Sequence, residues 1–162
     1  MLTEFFVAGD GAGGDAVLAE ADAHQQSWIG WEYKAFQNKT GSVVEQSMFT
    51  SSGDVNLGLA KKLARTYPQA VMGSILSFSF DPVSSDVSLS FVAGEPAGCD
   101  DSSQVFVHRA FYYPSGLEYS VSHDCVQVEE TERLLVLRHS KACVGLRILL
   151  RISSRRPAVQ TS

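Results

Sequence analysis

The hydrophobic period of this chain changes once, near residue 75, and that change limits the folds open to it. From Ile75 onward apolar residues alternate with small polar ones: Leu76, Phe78 and Phe80 with Ser77 and Ser79, then Val87, Leu89 and Phe91 with Ser88 and Ser90. A period of two sends successive side chains to opposite faces of a strand. Asp81-Pro82 and the run to Asp86 supply the turn between these two strands. Gly94 to Ser103 reads as a loop, and Gln104 to Tyr113, Leu117 to Ser122, Leu134 to Arg138 and Val144 to Ile152 as further strands, with Pro114-Ser115-Gly116 as a tight turn. In the last strand Val144, Leu146, Ile148, Leu150 and Ile152 face one way and Arg147 and Arg151 the other. About six short antiparallel strands with serine-rich outer faces predict a small β-sandwich.

Ahead of the change the pattern is mixed. Residues 2–8 form an apolar strand broken only by Thr3 and Glu4, and Gly9 to Gly14 a glycine-rich turn. Asp15 is placed to cap a helix running to Gln25, with Val17, Leu18 and Ala21 on one face. A strand over 27–33 follows, so the opening reads strand, helix, strand: one βαβ unit. Alternation puts Trp28, Gly30 and Glu32 on one face of that strand and Ile29, Trp31 and Tyr33 on the other, giving the two tryptophans different surroundings. After a polar loop from Gly41 to Gly53, Asn56 caps a second helix. Leu59, Ala60, Leu63 and Ala64 make its apolar stripe, Lys61, Lys62 and Arg65 face water, and Pro68 ends it. The predicted organisation is an α+β first part over 1–68, a sandwich over 69–153 and a disordered tail over 154–162.

Composition narrows the function classes. A net charge of −5 gives no electrostatic reason to expect nucleic acid. The basic run from Arg151 to Arg156 reads as a solvated end. No apolar run is long enough to span a bilayer, so no transmembrane segment is expected. The first 14 residues carry Glu4 and Asp10 without a basic leading region, which does not match a signal peptide. Of three cysteines, Cys125 and Cys143 are placed to bridge neighbouring strands, with Cys99 free or paired elsewhere; bridge and free thiols stand equally open. Asn38-Lys39-Thr40 is an N-glycosylation sequon.

Several constellations have both a chemical and a structural reading. Gly9-x-Gly11-x-x-Gly14, between a strand and a helix with Glu32 on the next strand, matches a dinucleotide fingerprint. The alternating second half leaves no further βαβ half to complete such a site, so a mobile glycine loop is the preferred reading and no cofactor is expected. Glu4 is a carboxylate in an apolar strand, and burying it demands either a structural partner or a chemical role. Trp31, near the end of its strand, offers a flat apolar face to a sugar ring or packs in the core. His123, Cys125, His139 and Cys143 match no common zinc spacing, and exposed histidines on strands are preferred to a metal site. Phe111, Tyr112, Tyr113 and Tyr119 mark either a binding face or packing, the commoner use.

Several segments together resemble one family. Leu2-Thr3-Glu4-Phe5, Ala21-Asp22-Ala23-His24, Ser27 through Lys34, Arg65-Thr66-Tyr67-Pro68-Gln69-Ala70-Val71-x-Gly73, and Leu76 through Asp81 are similar to the C-terminal part of the endoglycoceramidases and related glycosylceramidases of glycoside hydrolase family 5. The resemblance covers nearly the whole chain and fades after about residue 130. It implies a remnant of a (β/α) barrel, strands seven and eight with their helices, followed by the antiparallel β-sandwich. It implies Glu4 as the nucleophile of a retaining glycosidase and Trp31 as the aromatic at the sugar subsite, on strand ends where barrels place their sites. Phe6 stands where the family has glycine.

The family takes its acid/base glutamate from an Asn-Glu pair on barrel strand four, and no Asn-Glu dipeptide occurs in these 162 residues. The expectation is a fragment, catalytically incomplete alone, from a protein acting on a glycosphingolipid or glycan, with contact to a membrane surface and an extracellular or lysosomal location. The competing reading is a non-catalytic sandwich that binds a glycan or a lipid surface, or packs on a barrel.

Overall fold

The structure, a computed structural model, describes residues 2–6, 12–31, 33–34, 47–96, 98 and 101–155, with the backbone alone for residues 2–6, 12 and 31. The chain divides into two compact units, Met1–Ala64 and Arg65–Ser162.

In the first unit, β1 (Leu2–Phe6) and β2 (Trp28–Trp31) pair in parallel, joined through helix α1 (Ala12–Ala23). This is the expected βαβ unit. Helix α1 begins ahead of Asp15, so Asp15 is not its cap. It lies in the first turn, where a carboxylate complements the helix dipole, and pairs with Lys62 at 3.2 Å. Leu18 and Leu59 form the small buried core, with Trp28 and Leu63 packed against them. Helix α2 (Leu57–Leu63) has the predicted cap: Leu59 N–H donates to Asn56 Oδ1 at 3.2 Å. It ends at Leu63 with Ala64 as C-cap, earlier than Pro68, which instead enters a strand.

The second unit is a β-sandwich of two four-stranded antiparallel sheets. One orders β4 (Gly73–Phe80), β5 (Val87–Ala93), β10 (Arg147–Ser154) and β7 (Leu117–Val121). The other orders β3 (Tyr67–Ala70), β6 (Ser103–Phe106), β9 (Leu134–His139) and β8 (Val126–Glu130). Pro68 is tolerated because β3 is an edge strand. Phe78, Phe80, Val87, Leu89 and Phe91 from one sheet share the core with Val105, Leu135 and Leu137 from the other. Ile148, Leu150 and Ile152 of β10 join them, and Arg147 and Arg151 point outward, as the alternation requires.

Several expectations fail for local reasons. The ladder between β4 and β5 shifts between Ile75 and Ser77, so an extra residue is accommodated at Leu76. Leu76 is therefore 52% exposed, and Ile75 packs on the core in its place. The stretch from Gln104 to Tyr113 is not one strand: β6 stops at Phe106 and the short helix α3 (Arg109–Tyr112) turns the chain. Strand β8 was not expected. A 3-10 turn at Lys141–Cys143 delays β10 to Arg147, leaving Leu146 exposed.

Arg65 is not on a solvated helix face but 6% exposed in the sandwich, its guanidinium 5.0 Å above the Phe80 ring and donating to the Phe80 carbonyl at 3.5 Å. That apolar and carbonyl setting accommodates a buried cation. Strand β10 continues to Ser154, and residues 156–162 lie outside the described residues.

Gly73 is the position where only glycine fits. Its φ is +144°, and a Cβ there would come 2.0 Å from the Val92 carbonyl oxygen. The close approach is fixed by Met72 N–H, which donates to the buried Ser103 hydroxyl at 2.9 Å, and by Gly94 N–H, which donates to the Met72 carbonyl at 3.0 Å.

Cys125 and Cys143 form a disulfide with a Cα separation of 5.9 Å, tying the start of β8 to the turn after β9. Cys99 lies outside the described residues. His139 is buried rather than exposed: its Nε2 lies 2.8 Å from the Gly94 carbonyl, which can only accept, so Nε2 carries the proton. Among the described residues no helix is long and apolar enough to cross a membrane.

Candidate functional site

The parallel pair β1/β2 sets the positions of Glu4 and Trp31. Leu2 pairs with Trp28 and Thr3 with Ile29, but Phe5 pairs with Gly30 and Phe6 with Trp31. The register therefore slips between Thr3 and Phe5, and Glu4 is the residue within the slip. Such irregularities release one residue from the ladder, and they concentrate beside active sites. Trp31 closes β2 on the strand next to Glu4, two rungs further along the shared direction. The two candidates thus lie on adjacent strands of one sheet, strands that run about 4.8 Å apart, but two rungs removed from each other along them.

Trp28 occupies the other role. It is half-buried against the Leu18 and Leu59 cluster, and so packs the helices onto β2. Ile29 and Tyr33 are exposed. Beyond β2, Ser47 and Phe49 return to Tyr33: the Ser47 hydroxyl lies 3.4 Å from the Tyr33 carbonyl, and the Phe49 and Tyr33 rings meet edge to face at 5.1 Å. Asn38 and Glu32 fall outside the described residues. Gly13 and Gly14 lie inside α1, while Gly9 and Gly11 of the glycine pattern are also outside the described residues.

The sandwich carries a concave feature of its own. On the outer face of the sheet containing β10, Ser79 pairs with Ser88, Ser88 with Arg151, and Arg151 with Ser120, forming one row across all four strands. This row floors an open depression of about 680 Å³ walled by Asp81, Ser84 and Asp86 of the β4–β5 hairpin and by Glu118 and Tyr119 of β7. The serine alternation was visible in the sequence, but the register that aligns the serines beside Arg151 was not. Asp81 is already engaged: Val83 N–H and the Ser84 hydroxyl donate to its two oxygens, at 2.8 and 3.0 Å, and hold its carboxyl below the usual carboxylate range.

Of the aromatic cluster, Tyr112 and Tyr113 are buried, and burial raises both phenols above their ordinary range, partly offset at Tyr112 by Arg65 and at Tyr113 by the Thr66 hydrogen bond. Phe111 stacks on His108 at 4.4 Å, and Tyr119, 40% exposed, borders the depression. His123 and His139 bond to the carbonyls of Arg147 and Gly94.

Comparison with known proteins follows this division. Residues 65–151 match the glycoside hydrolase family 5 C-terminal domain. An endoglycoceramidase of Cyanea nozakii is 31% identical over 149 residues, 86% of this chain and 29% of that protein. An endoglycoceramidase of Hydra vulgaris is 30% identical over 144 residues, 84% of this chain and 26% of that protein. The chain therefore spans less than a third of either relative. Among solved structures, endo-glycoceramidase II from Rhodococcus sp., in complex with a five-membered iminocyclitol, has a similar fold at 15% identity. The TM-score is 0.66, over 96% of this chain and 33% of that one. Sterylglucosidase 1 of Cryptococcus neoformans, with tris, aligns at TM-score 0.69 and 12% identity, over 95% of this chain and 29% of that one. With its sandwich matched over residues 65–151 and the Cyanea similarity reaching beyond it, the chain belongs to glycoside hydrolase family 5, as the C-terminal part of an endoglycoceramidase-type protein.

Proposed function

We propose that this chain supplies the nucleophile strand and C-terminal sandwich of a retaining glycosidase that hydrolyses the O-glycosyl bond between a glycan and ceramide. The observation that carries the reading is the slip in the β1/β2 ladder at Glu4, in a chain 31% identical to a named endoglycoceramidase over 149 residues. In this reading residues 1–68 are the last two units of a (β/α) barrel. The Glu4 carboxylate attacks the anomeric carbon, and the bond from that carbon to the ceramide oxygen breaks. Trp31 stacks on the sugar ring, its apolar face against the ring's C–H bonds.

Retention needs a second carboxylate about 5–5.5 Å from the first, which protonates the leaving oxygen and then activates water. With no Asn-Glu pair in these 162 residues, we assign that acid/base to a longer chain and read the 162-residue chain alone as catalytically silent. The disulfide between Cys125 and Cys143 supports an oxidising compartment, secreted or lysosomal, in which Asn38 would be a glycosylation site. A ceramide-linked substrate also brings the protein to a membrane surface.

The test is Glu4→Gln in a chain with a complete barrel. Turnover of a glycosphingolipid should fall by about 10⁴-fold or more with the melting temperature unchanged, since the nucleophile makes the covalent intermediate. Undiminished turnover sinks the assignment of Glu4. Ceramide release by the purified 162-residue chain would overturn the assignment of the acid/base elsewhere.

A further inference from the structure

We infer that the depression on the outer face of the sandwich is a binding site for a neutral saccharide, separate from Glu4. Arg151 stands at its centre, on the third strand of a row whose other members are the hydroxyls of Ser79, Ser88 and Ser120. Carboxylates border it on two sides, Asp86 from the hairpin and Glu118 from β7. Glu118 is held only loosely, by Arg155 at 3.9 Å with both side chains largely exposed.

The mixture of charges selects the ligand. A free anion attracted to Arg151 meets the two carboxylates, and a free cation attracted to those meets Arg151. An apolar ligand strips water from the serine hydroxyls and returns no hydrogen bonds, a net cost. The ligand that satisfies the whole set both donates and accepts at neighbouring positions, and the vicinal hydroxyls of a pyranose do this. One hydroxyl hydrogen goes to a carboxylate, one hydroxyl oxygen takes a guanidinium N–H, and the serines exchange either way. At about 680 Å³ the depression falls within the ~300–1,000 Å³ range of small-ligand sites. Being open, it suits a sugar that is part of a longer glycan.

This inference shares its ligand chemistry with the proposed hydrolase but does not rest on Glu4, and the two fail separately. Turnover of the Glu4→Gln enzyme reads hydrolysis, whereas a titration of the sandwich amides reads this site.

The experiment is an amide-resolved NMR titration of the full 162-residue chain with lactose, with glycerol and inorganic phosphate in parallel. Expected are saturable shifts confined to Ser88, Tyr119, Ser120 and Arg151, with a dissociation constant on the order of 1 mM. Arg151→Ala should weaken binding by about tenfold, as expected for a lost charged hydrogen-bond donor. Ser120→Trp, which fills the depression from an exposed position, should abolish binding with the melting temperature unchanged, and it decides the matter if Arg151→Ala does not fold. Absence of saturable shifts, shifts elsewhere, indifference to Ser120→Trp, or the same shifts with glycerol or phosphate would each overturn the site.

Discussion

Thr66 donates its hydroxyl hydrogen to the Tyr113 phenol oxygen across 3.1 Å, because the phenol's own hydrogen is committed to the Ser85 carbonyl, also at 3.1 Å. One buried oxygen thus joins the segment before β3, the β4–β5 hairpin and the end of α3. Tyr113→Phe leaves the Ser85 carbonyl and the Thr66 hydroxyl buried without this partner, at a cost of about 1–3 kcal/mol. For a domain of this size that lowers the melting temperature by about 4–8 °C per kcal/mol, which calorimetry would register. A melting temperature equal to wild type would show that the hydroxyl carries no load.

The same burial sets an alkaline limit. Tyr112 and Tyr113 are both raised in the folded state, by desolvation first. A raised group contributes stability that is complete below its unfolded value, about 10 for tyrosine, and is lost as pH rises through the folded one. Unfolding followed by circular dichroism should coincide with tyrosinate absorbance above about pH 10. Ionisation of all five tyrosines with the fold intact would contradict this.

Asp81 sets the acid limit with the opposite sign. Its carboxyl is lowered by the Val83 N–H and the Ser84 hydroxyl, so its contribution is present above the ordinary aspartate value, about 3.9, and is lost as pH falls through the lower folded value. Asp81→Ala should destabilise the hairpin at neutral pH and flatten the decline of melting temperature with acidification. Parallel acid profiles for wild type and variant would refute the assignment.

Gly73→Ala should cost about 2–4 kcal/mol, combining an unfavourable backbone region with a Cβ driven into the Val92 carbonyl. Gly53→Ala serves as the control, since its φ of +88° is also positive but open space surrounds the site. Equal losses in urea titrations would mean that the collision is relieved and only the backbone term remains.

Reducing the Cys125–Cys143 bond, which spans 18 residues, should cost about 3 kcal/mol by the loop-entropy account. The paired substitution Cys125→Ala with Cys143→Ala should show the same loss and no further response to reductant. An unchanged urea midpoint after complete reduction would argue against a stabilising bridge.

How much of this was legible depends on range. Strands β4, β5 and β10 were readable because their alternation is local, as was Asn56, whose bond reaches only to Leu59. The bulge that exposes Leu76 was not, because it is defined by the partner strand and not by the residues of β4 themselves. Arg65 looked like a solvated helical residue until Phe80, fifteen positions away, closed over its neighbourhood. Glu4 was conspicuous as a carboxylate in an apolar strand, but the slip that singles it out belongs to its pairing with β2. Registry between distant segments also made the Ser79–Ser88–Arg151–Ser120 row invisible in the sequence.

Strand β10 comes last in sequence among the described strands, yet it lies between β5 and β7 and supplies Ile148, Leu150 and Ile152 to the core. During synthesis its two neighbours emerge from the ribosome long before it and must wait, with open edges, for a strand still unmade. Completion of the sandwich is therefore postponed until Arg147–Ser154 has been made, and a stop codon ahead of Arg147 would remove the middle of the sheet and not its margin.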